Sequence, residues 1–251
     1  MNLGITDTLM LLGIVALATY AQSVTGFAFG LTVMGGAVLF NLAPVALVAI
    51  LISLLSLFNC VLSLHKHYAN IDKEIVFLVS ISSVATLVLG VWVLEVLSTL
   101  YIEWLQIILG VAIIISSTML VFKPRPQPQR SSRASFVLTG GLAGLMGGMF
   151  STSGPPLVFH FYRQPLAQAV IRDTLLSVFA ISSVLRLTVV GMQGAITSTL
   201  LVIAATAVPT VLLFSWLGRH YPPPLSDIAM RRGAFTLLML SGVSLCLSAW
   251  L

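Results

Sequence analysis

Two stretches of glycine and small hydroxyl residues interrupt otherwise apolar sequence. One is Gln22-Ser23-Val24-Thr25-Gly26-Phe27-Ala28-Phe29-Gly30, and the other is Gly147-Gly148-Met149-Phe150-Ser151-Thr152-Ser153-Gly154-Pro155-Pro156. Backbone that leaves a helix at membrane depth exposes N–H and C=O groups that lipid cannot satisfy, so such a break survives only inside protein or beside a wet cavity. Breaks in corresponding places of two halves point to a transport site. A helix restarting at such a break aims free N–H groups and a partial positive charge at whatever faces it, which is chemistry for an anion. Gly154-Pro155-Pro156 suits a helix start, because proline tolerates the first turn. Phe27 onwards is the candidate start in the first half. Ser23, Thr25, Ser151, Thr152 and Ser153 offer hydroxyl donors, Gln22 offers an amide, and Gly26 and Gly154 allow close approach. The competing reading is that small residues here only let helices pack closely.

Charged and titratable residues add to this set. Arg186 lies within an apolar span, where an arginine is costly and functional by default, and its planar fork suits an oxyanion. The alternatives are snorkelling to an interface or pairing with a carboxylate. Arg172 lies beside Asp173 near the inner end of the same span, so a local ion pair or an interfacial anchor stands against substrate contact. His65 and His160 are candidates for proton coupling, against plain roles as a loop residue and a hydrogen-bonded structural residue. Phe27, Phe29, Phe150 and Phe159 are candidate cavity walls.

The elements that must position these residues are membrane helices. The chain is 58% hydrophobic and only 8% charged, with mean hydropathy +1.08, which excludes an ordinary soluble domain. Full spans are expected at about residues 45–64, 75–94, 102–122, 166–190, 197–217 and 229–250, each near the ~20 residues that cross a bilayer. Residues 4–40 and 134–162 are broken, and each reads as a helix, a glycine break and a second short helix. The second region is too short for two spans, so a re-entrant hairpin is expected. Cys60 and Cys246 read as small buried hydrophobes, not as a disulfide framework. No cleavable signal is evident at the start of the chain. No metal-binding, nucleotide-binding or hydrolase motif is present, so no enzyme activity and no cofactor are expected.

The net charge of +5 speaks to orientation, not to nucleic acid. The proline-rich segment 123–133, with Lys123, Arg125, Arg130 and Arg133, divides the chain and is expected in the cytoplasm. It separates a first repeat, 1–122, from a second, 134–251. Charge places residues 65–73, 163–172 and 218–232 on the linker's side, and 41–44, 95–103 and 191–196 on the other. Pro44 and Pro165 precede spans 121 positions apart; that offset lays Gly26 on Gly147 and puts the halves in opposite orientations. The fold class is therefore an all-α integral membrane protein of two inverted repeats, each a broken helix or re-entrant hairpin plus three full transmembrane helices.

The chain resembles the TauE/SafE family, known as sulfite exporters and relatives of the 4-toluene sulfonate uptake permeases. The resemblance rests on Ser23-Val-Thr-Gly-Phe-Ala-Phe-Gly30, and on Gly140-Gly-Leu-Ala-Gly-Leu-Met-Gly-Gly148 running into Ser153-Gly-Pro-Pro156. At the second break the commoner form is richer in glycine, whereas here Ser151, Thr152 and Ser153 stand. The resemblance implies a multi-pass inner-membrane transporter of small anions, often sulfite or sulfonates. Inverted repeats favour a carrier with alternating access; an anion channel and a membrane subunit of a larger complex are the alternatives. The expected partners are a small anionic substrate and the lipid bilayer, with homo-oligomerisation open. The sequence leaves open which anion moves, in which direction, and what ion drives it.

Overall fold

The structure, a computed structural model, describes residues 4–64, 68–121, 127–221 and 243. Among these residues it is all-helical. In chain order the helices are α1 Ile5–Thr25, α2 Phe29–Leu39, α3 Val45–Leu64, α4 Lys73–Leu100, α5 Ile102–Val121, α6 Arg133–Phe150, α7 Gly154–Phe161, α8 Gln168–Met192 and α9 Ser198–His220. A single 3-10 turn, Tyr68–Asn70, precedes α4. Five helices are long and apolar enough to cross a membrane: α1, α3, α4, α8 and α9. The span expected at 229–250, residue Cys246, His65 and the first half of the central linker lie outside the described residues.

Local chemistry sets several helix starts. Asp72, Ser132 and Thr197 each accept a hydrogen bond from the backbone N–H three residues on, at 3.1, 3.4 and 3.3 Å, and so cap α4, α6 and α9. Both broken regions are hairpins. α2 folds back along α1, so that a Cβ on Gly36 would lie 2.9 Å from the Ile14 side chain. α7 folds back along α6, placing the His160 ring 4.8 Å from that of Phe136, edge to face. With 11 and 8 residues, α2 and α7 extend only about 16 and 12 Å, well short of the ~30 Å core.

Long, short, long, long is the order of α1–α4 and again of α6–α9. Exchanging the two sets maps packed pairs onto packed pairs: α4 on α6 becomes α9 on α1, α4 on α8 becomes α9 on α3, and α3 on α8 maps onto itself. The register differs from the expected one. α1 and α6 both end 125 positions apart, and so do the starts of α2 and α7, which corrects the offset of 121 at the breaks. Gly26 therefore corresponds to Ser151, not to Gly147, which is still helical. Gly26 and Ser151 are both left-handed C-caps, with φ of 82° and 55°. The two registers differ by four residues, close to one turn of 3.6, so the pattern of faces looks the same in either.

Contacts between loops join residues 70–74, 127–133, 163 and 173 at one end and residues 95 and 193 at the other. At one end Arg130 pairs with Asp72 at 3.2 Å and Arg133 with Glu74 at 2.8 Å. There too Gln127 N–H donates to the Arg163 carbonyl at 2.7 Å. Asn70 donates to Asp173 at 3.1 Å at the same end. At the other end Gln193 donates to Glu95 at 3.1 Å.

Candidate functional site

The two breaks touch. A Cβ on Gly30 would lie 2.7 Å from the Ser151 carbonyl oxygen and 3.1 Å from the Thr152 methyl. Between them lies a cavity of about 40 Å³. At the ~10–15 Å³ one water's centre needs, that is room for roughly three waters or one small oxyanion. Residues 27–31 line one side and residues 151–155 the other. Gln22 from α1, Ser56 from α3, Gly147 from α6, and Phe179, Ser182, Ser183 and Arg186 from α8 complete the wall.

The first turns of both short helices face this space. α2 follows Ala28, a left-handed N-cap with φ of 86° and no side-chain cap. Its first N–H groups are thus the uncapped donors that every helix start carries. α7 also begins without a side-chain cap, after Ser153. Pro155 and Pro156 remove two of its four orphan N–H groups. α2 is therefore the start richer in backbone donors, while the α7 start adds the side chains of Ser151, Thr152 and Ser153.

Arg186 supplies the charge. It is 1% exposed. Its Nε donates to the Gly148 carbonyl at 3.0 Å and its Nη1 to Ser53 Oγ at 3.4 Å. Ser53 Oγ also donates to the Ala49 carbonyl at 3.0 Å and is hydrogen-bonded to Ser151 Oγ. A guanidinium has five N–H donors, so three remain beyond these two bonds. It is buried rather than at an interface, and among the described residues no carboxylate pairs with it; the ion pairs found there belong to Arg130 and Arg133. A buried charge without a counter-charge costs several kcal/mol.

The other expected residues divide. Gln22, Ser151, Thr152, Ser153, Gly154 and Arg186 line the cavity, whereas Ser23, Gly26, Arg172 and His160 do not, and the side chain of Thr25 lies outside what the structure describes. Gln22 accepts from Asn59 Nδ2 at 2.6 Å. Ser23 is buried and its hydroxyl has no partner among the described residues. Thr25 is the last residue of α1, and Gly26 forms the turn on which the Arg172 stem rests. A Cβ on Gly26 would lie 2.8 Å from Arg172 Cγ. The expected Arg172–Asp173 pair does not form among the described residues; Asp173 instead accepts from Asn70. Neighbours in sequence point about 100° apart around a helix and do not face each other. His160 sits at the far end of α7, 3.4 Å from Ser135 Oγ. Phe27 and Phe29 wall the cavity, but Phe150 is buried elsewhere in the core, and Phe159 lies under the Arg163 guanidinium at 5.6 Å.

Sequence reasoning missed Ser53, Ser56, Ser182 and Ser183. The signal was present: Ser182, Ser183 and Arg186 share one helical face, as do Ser53 and Ser56.

Residues 11–245 match the family model described as Sulfite exporter TauE/SafE. The chain belongs to this family. The probable sulfite/organosulfonate exporter TauE of Cupriavidus necator is 42% identical over 248 residues, 96% of this chain and 97% of that protein. The probable inner membrane transporter protein TsaS of Comamonas testosteroni is 34% identical over 115 residues, 44% of this chain and 46% of that one. No solved structure matches. With its apolar helices, this TauE/SafE family member is a multi-pass protein of the inner membrane.

Proposed function

We propose that this chain is a secondary transporter of small sulfur oxyanions, sulfite or organosulfonates, with its site in the cavity between the two breaks. The observation that carries this reading is a buried arginine facing two uncapped helix starts across one small cavity. Sulfite and a sulfonate headgroup each present three oxygens on one sulfur. One oxygen takes the first-turn N–H groups of α2, one the hydroxyls at the start of α7, and one the free N–H groups of Arg186. Hydrogen bonds to a charged group contribute about 1.5–3 kcal/mol each, enough to hold a small anion when several converge. The name of the Cupriavidus necator relative supports the substrate class, and that of the Comamonas testosteroni relative supports membrane transport alone.

The end bearing Arg130 and Arg133 faces the cytoplasm in this reading, because lysine and arginine are retained on that side. The halves are then inverted about the membrane plane, with the breaks near its middle. Exchange of the two halves' conformations gives inward-facing and outward-facing states around one site. That favours a carrier over a channel built from the same helix starts.

Flux into proteoliposomes of labelled sulfite and of several sulfonates, with and without a pH gradient, tests the proposal. Saturable flux with mutual competition is expected. Flux that never saturates means a channel, and no flux of any sulfur oxyanion means a different substrate.

A further inference from the structure

One seam of the molecule is sealed by glycine and its counterpart is not. On α6, Gly140, Gly144 and Gly148 meet α4 backbone to backbone: added Cβ atoms would lie 2.7, 2.5 and 2.1 Å from the carbonyl oxygens of Val79, Ser83 and Leu87. The equivalent seam is α1 on α9. In the 125-residue register, the positions of Gly140, Gly144 and Gly148 are held in α1 by Val15, Thr19 and Ser23. Thr19 and Ser23 are 0% and 2% exposed, and neither hydroxyl has a partner among the described residues. At Gly218, a glycine of α9 in this seam, an added Cβ would lie 3.0 Å from Ser23 Cβ and 3.1 Å from the Tyr20 carbonyl oxygen, a tight approach at one point where α6 makes three closer ones.

The third helix of this group is α3, which packs on α9 and α1. It carries a polar face. Ser53 bonds Arg186, Ser56 lines the cavity, Asn59 bonds Gln22, and Ser63 follows one turn later. Asn59 and Ser63 are 0% and 1% exposed, and Asn59 Oδ1 and Ser63 Oγ have no partner among the described residues. Four oxygens without a partner among the described residues thus lie on the facing helices α1 and α3: Thr19 one turn before the cavity-lining Gln22, and Ser23, Asn59 and Ser63 from the cavity's level toward the end that holds Asp72 and Arg130. Buried polar atoms in native proteins are nearly always bonded, so a cluster left unbonded needs an explanation. α9 adds a hinge: Pro209 stands inside it and removes a helical hydrogen bond, whereas its counterpart α4 has no proline.

We propose that the wedge between α1, α3 and α9 is one half of the anion's route, dry in this conformation and opening to water at the linker's end of the molecule. Thr19, Ser23, Asn59 and Ser63 line it, and their oxygens are hydrated when α9 bends away. The glycine-sealed α4–α6 seam stays shut through that movement. The inference rests on the transport reading above but not on the identity of the anion.

Cys60 lies on the same stretch of α3, 0% exposed, and is a native reporter. The experiment is labelling of the full chain, with Cys246→Ser, by a membrane-impermeant thiosulfonate in right-side-out and inside-out vesicles. A second protein, Cys60→Ser, Cys246→Ser, Ser63→Cys, reports one turn further along, and Val61→Cys in that background faces lipid at 53% exposure. Cys60 and the cysteine at position 63 are expected to react in inside-out vesicles only, and the one at position 61 in neither. Methanesulfonate at about ten times its Kd leaves roughly one-tenth of the sites empty, so the labelling rate at Cys60 should fall about tenfold. Inertness of both Cys60 and position 63 in vesicles that still transport, or reaction only from the side opposite to the one on which a cysteine at position 131 reacts, overturns the wedge. Labelling that methanesulfonate does not slow leaves the wedge standing and overturns the sulfonate as substrate.

Discussion

Arg186 is held before any ligand arrives. Two of its N–H groups are spent on Gly148 and Ser53, which fixes the plane of the guanidinium beside the cavity. Arg186→Ala should weaken sulfonate binding by about 100-fold, the loss of roughly 2.7 kcal/mol expected for a buried charge-assisted bond. Arg186→Lys should recover only part of this, because an ammonium cannot offer two parallel N–H bonds. Calorimetric titration of the purified variants with methanesulfonate measures both; equal affinity for all three proteins would make Arg186 a purely structural residue. Ser153→Ala, by contrast, removes one hydroxyl from the cavity wall and should cost about 1–3 kcal/mol of binding if that hydroxyl meets the anion, with the fold unchanged. Arg186 was legible in the sequence because a charge in an apolar span has few explanations. Ser53 was not, because a serine inside a helix ordinarily bonds the carbonyl four residues back, as Ser53 does to Ala49, and only the fold shows that it also bridges Arg186 and Ser151.

Among the helices, the tightest constraint is the crossing of α4 and α6. Gly90 and Gly148 meet there so closely that a Cβ on Gly148 would lie 2.9 Å from Gly90 Cα. Gly144→Ala should push the helices apart and destabilise the protein by about 1–3 kcal/mol, as overpacking does. Gly141→Ala, whose Cβ would be 3.9 Å from the nearest atom, should be neutral or stabilising by up to about 1 kcal/mol. Thermal unfolding in detergent compares the two, and equal melting temperatures would remove the seam's special role. The same distances re-rank the glycines of the breaks. Gly154 has room for a methyl, 3.8 Å from the Phe179 ring, whereas Gly30 has none against Ser151. Gly30→Ala should therefore damage substrate binding more than Gly154→Ala does. The two breaks themselves were readable, because glycine, proline and hydroxyl residues stand out in leucine-rich sequence. Their correspondence was not, since a shift of one helical turn preserves every face and only the helix ends fix the register.

Across the whole molecule, the helices of the two halves interlock instead of forming two separate bundles. α4 packs on α6, α1 on α9 and α3 on α8, so each principal contact joins one half to the other. The opening at the linker's end proposed above moves α1, α3 and α9 and leaves the glycine seam shut, whereas the exchanged opening at the other end would have to part α4 from α6. The ion pairs at the linker's end are a weak restraint on that motion. Arg133 and Glu74 are 81% and 45% exposed, and pairs this exposed contribute about 0–1 kcal/mol. They do, however, tie the linker, the start of α4 and, through Asn70 and Asp173, the start of α8 to one side of the membrane. In the orientation proposed above, that side is the cytoplasm. In a background of Cys60→Ser and Cys246→Ser, Ser131→Cys should react with an impermeant maleimide only in inside-out vesicles, and Ser98→Cys only in intact cells. Ser131 lies between Gln127 and Gln164 at the basic end, and Ser98 lies one turn beyond Glu95 at the other. Labelling of position 131 in intact cells would invert the whole arrangement. The wedge would then open to the outside, and the same site would be loaded from the opposite face.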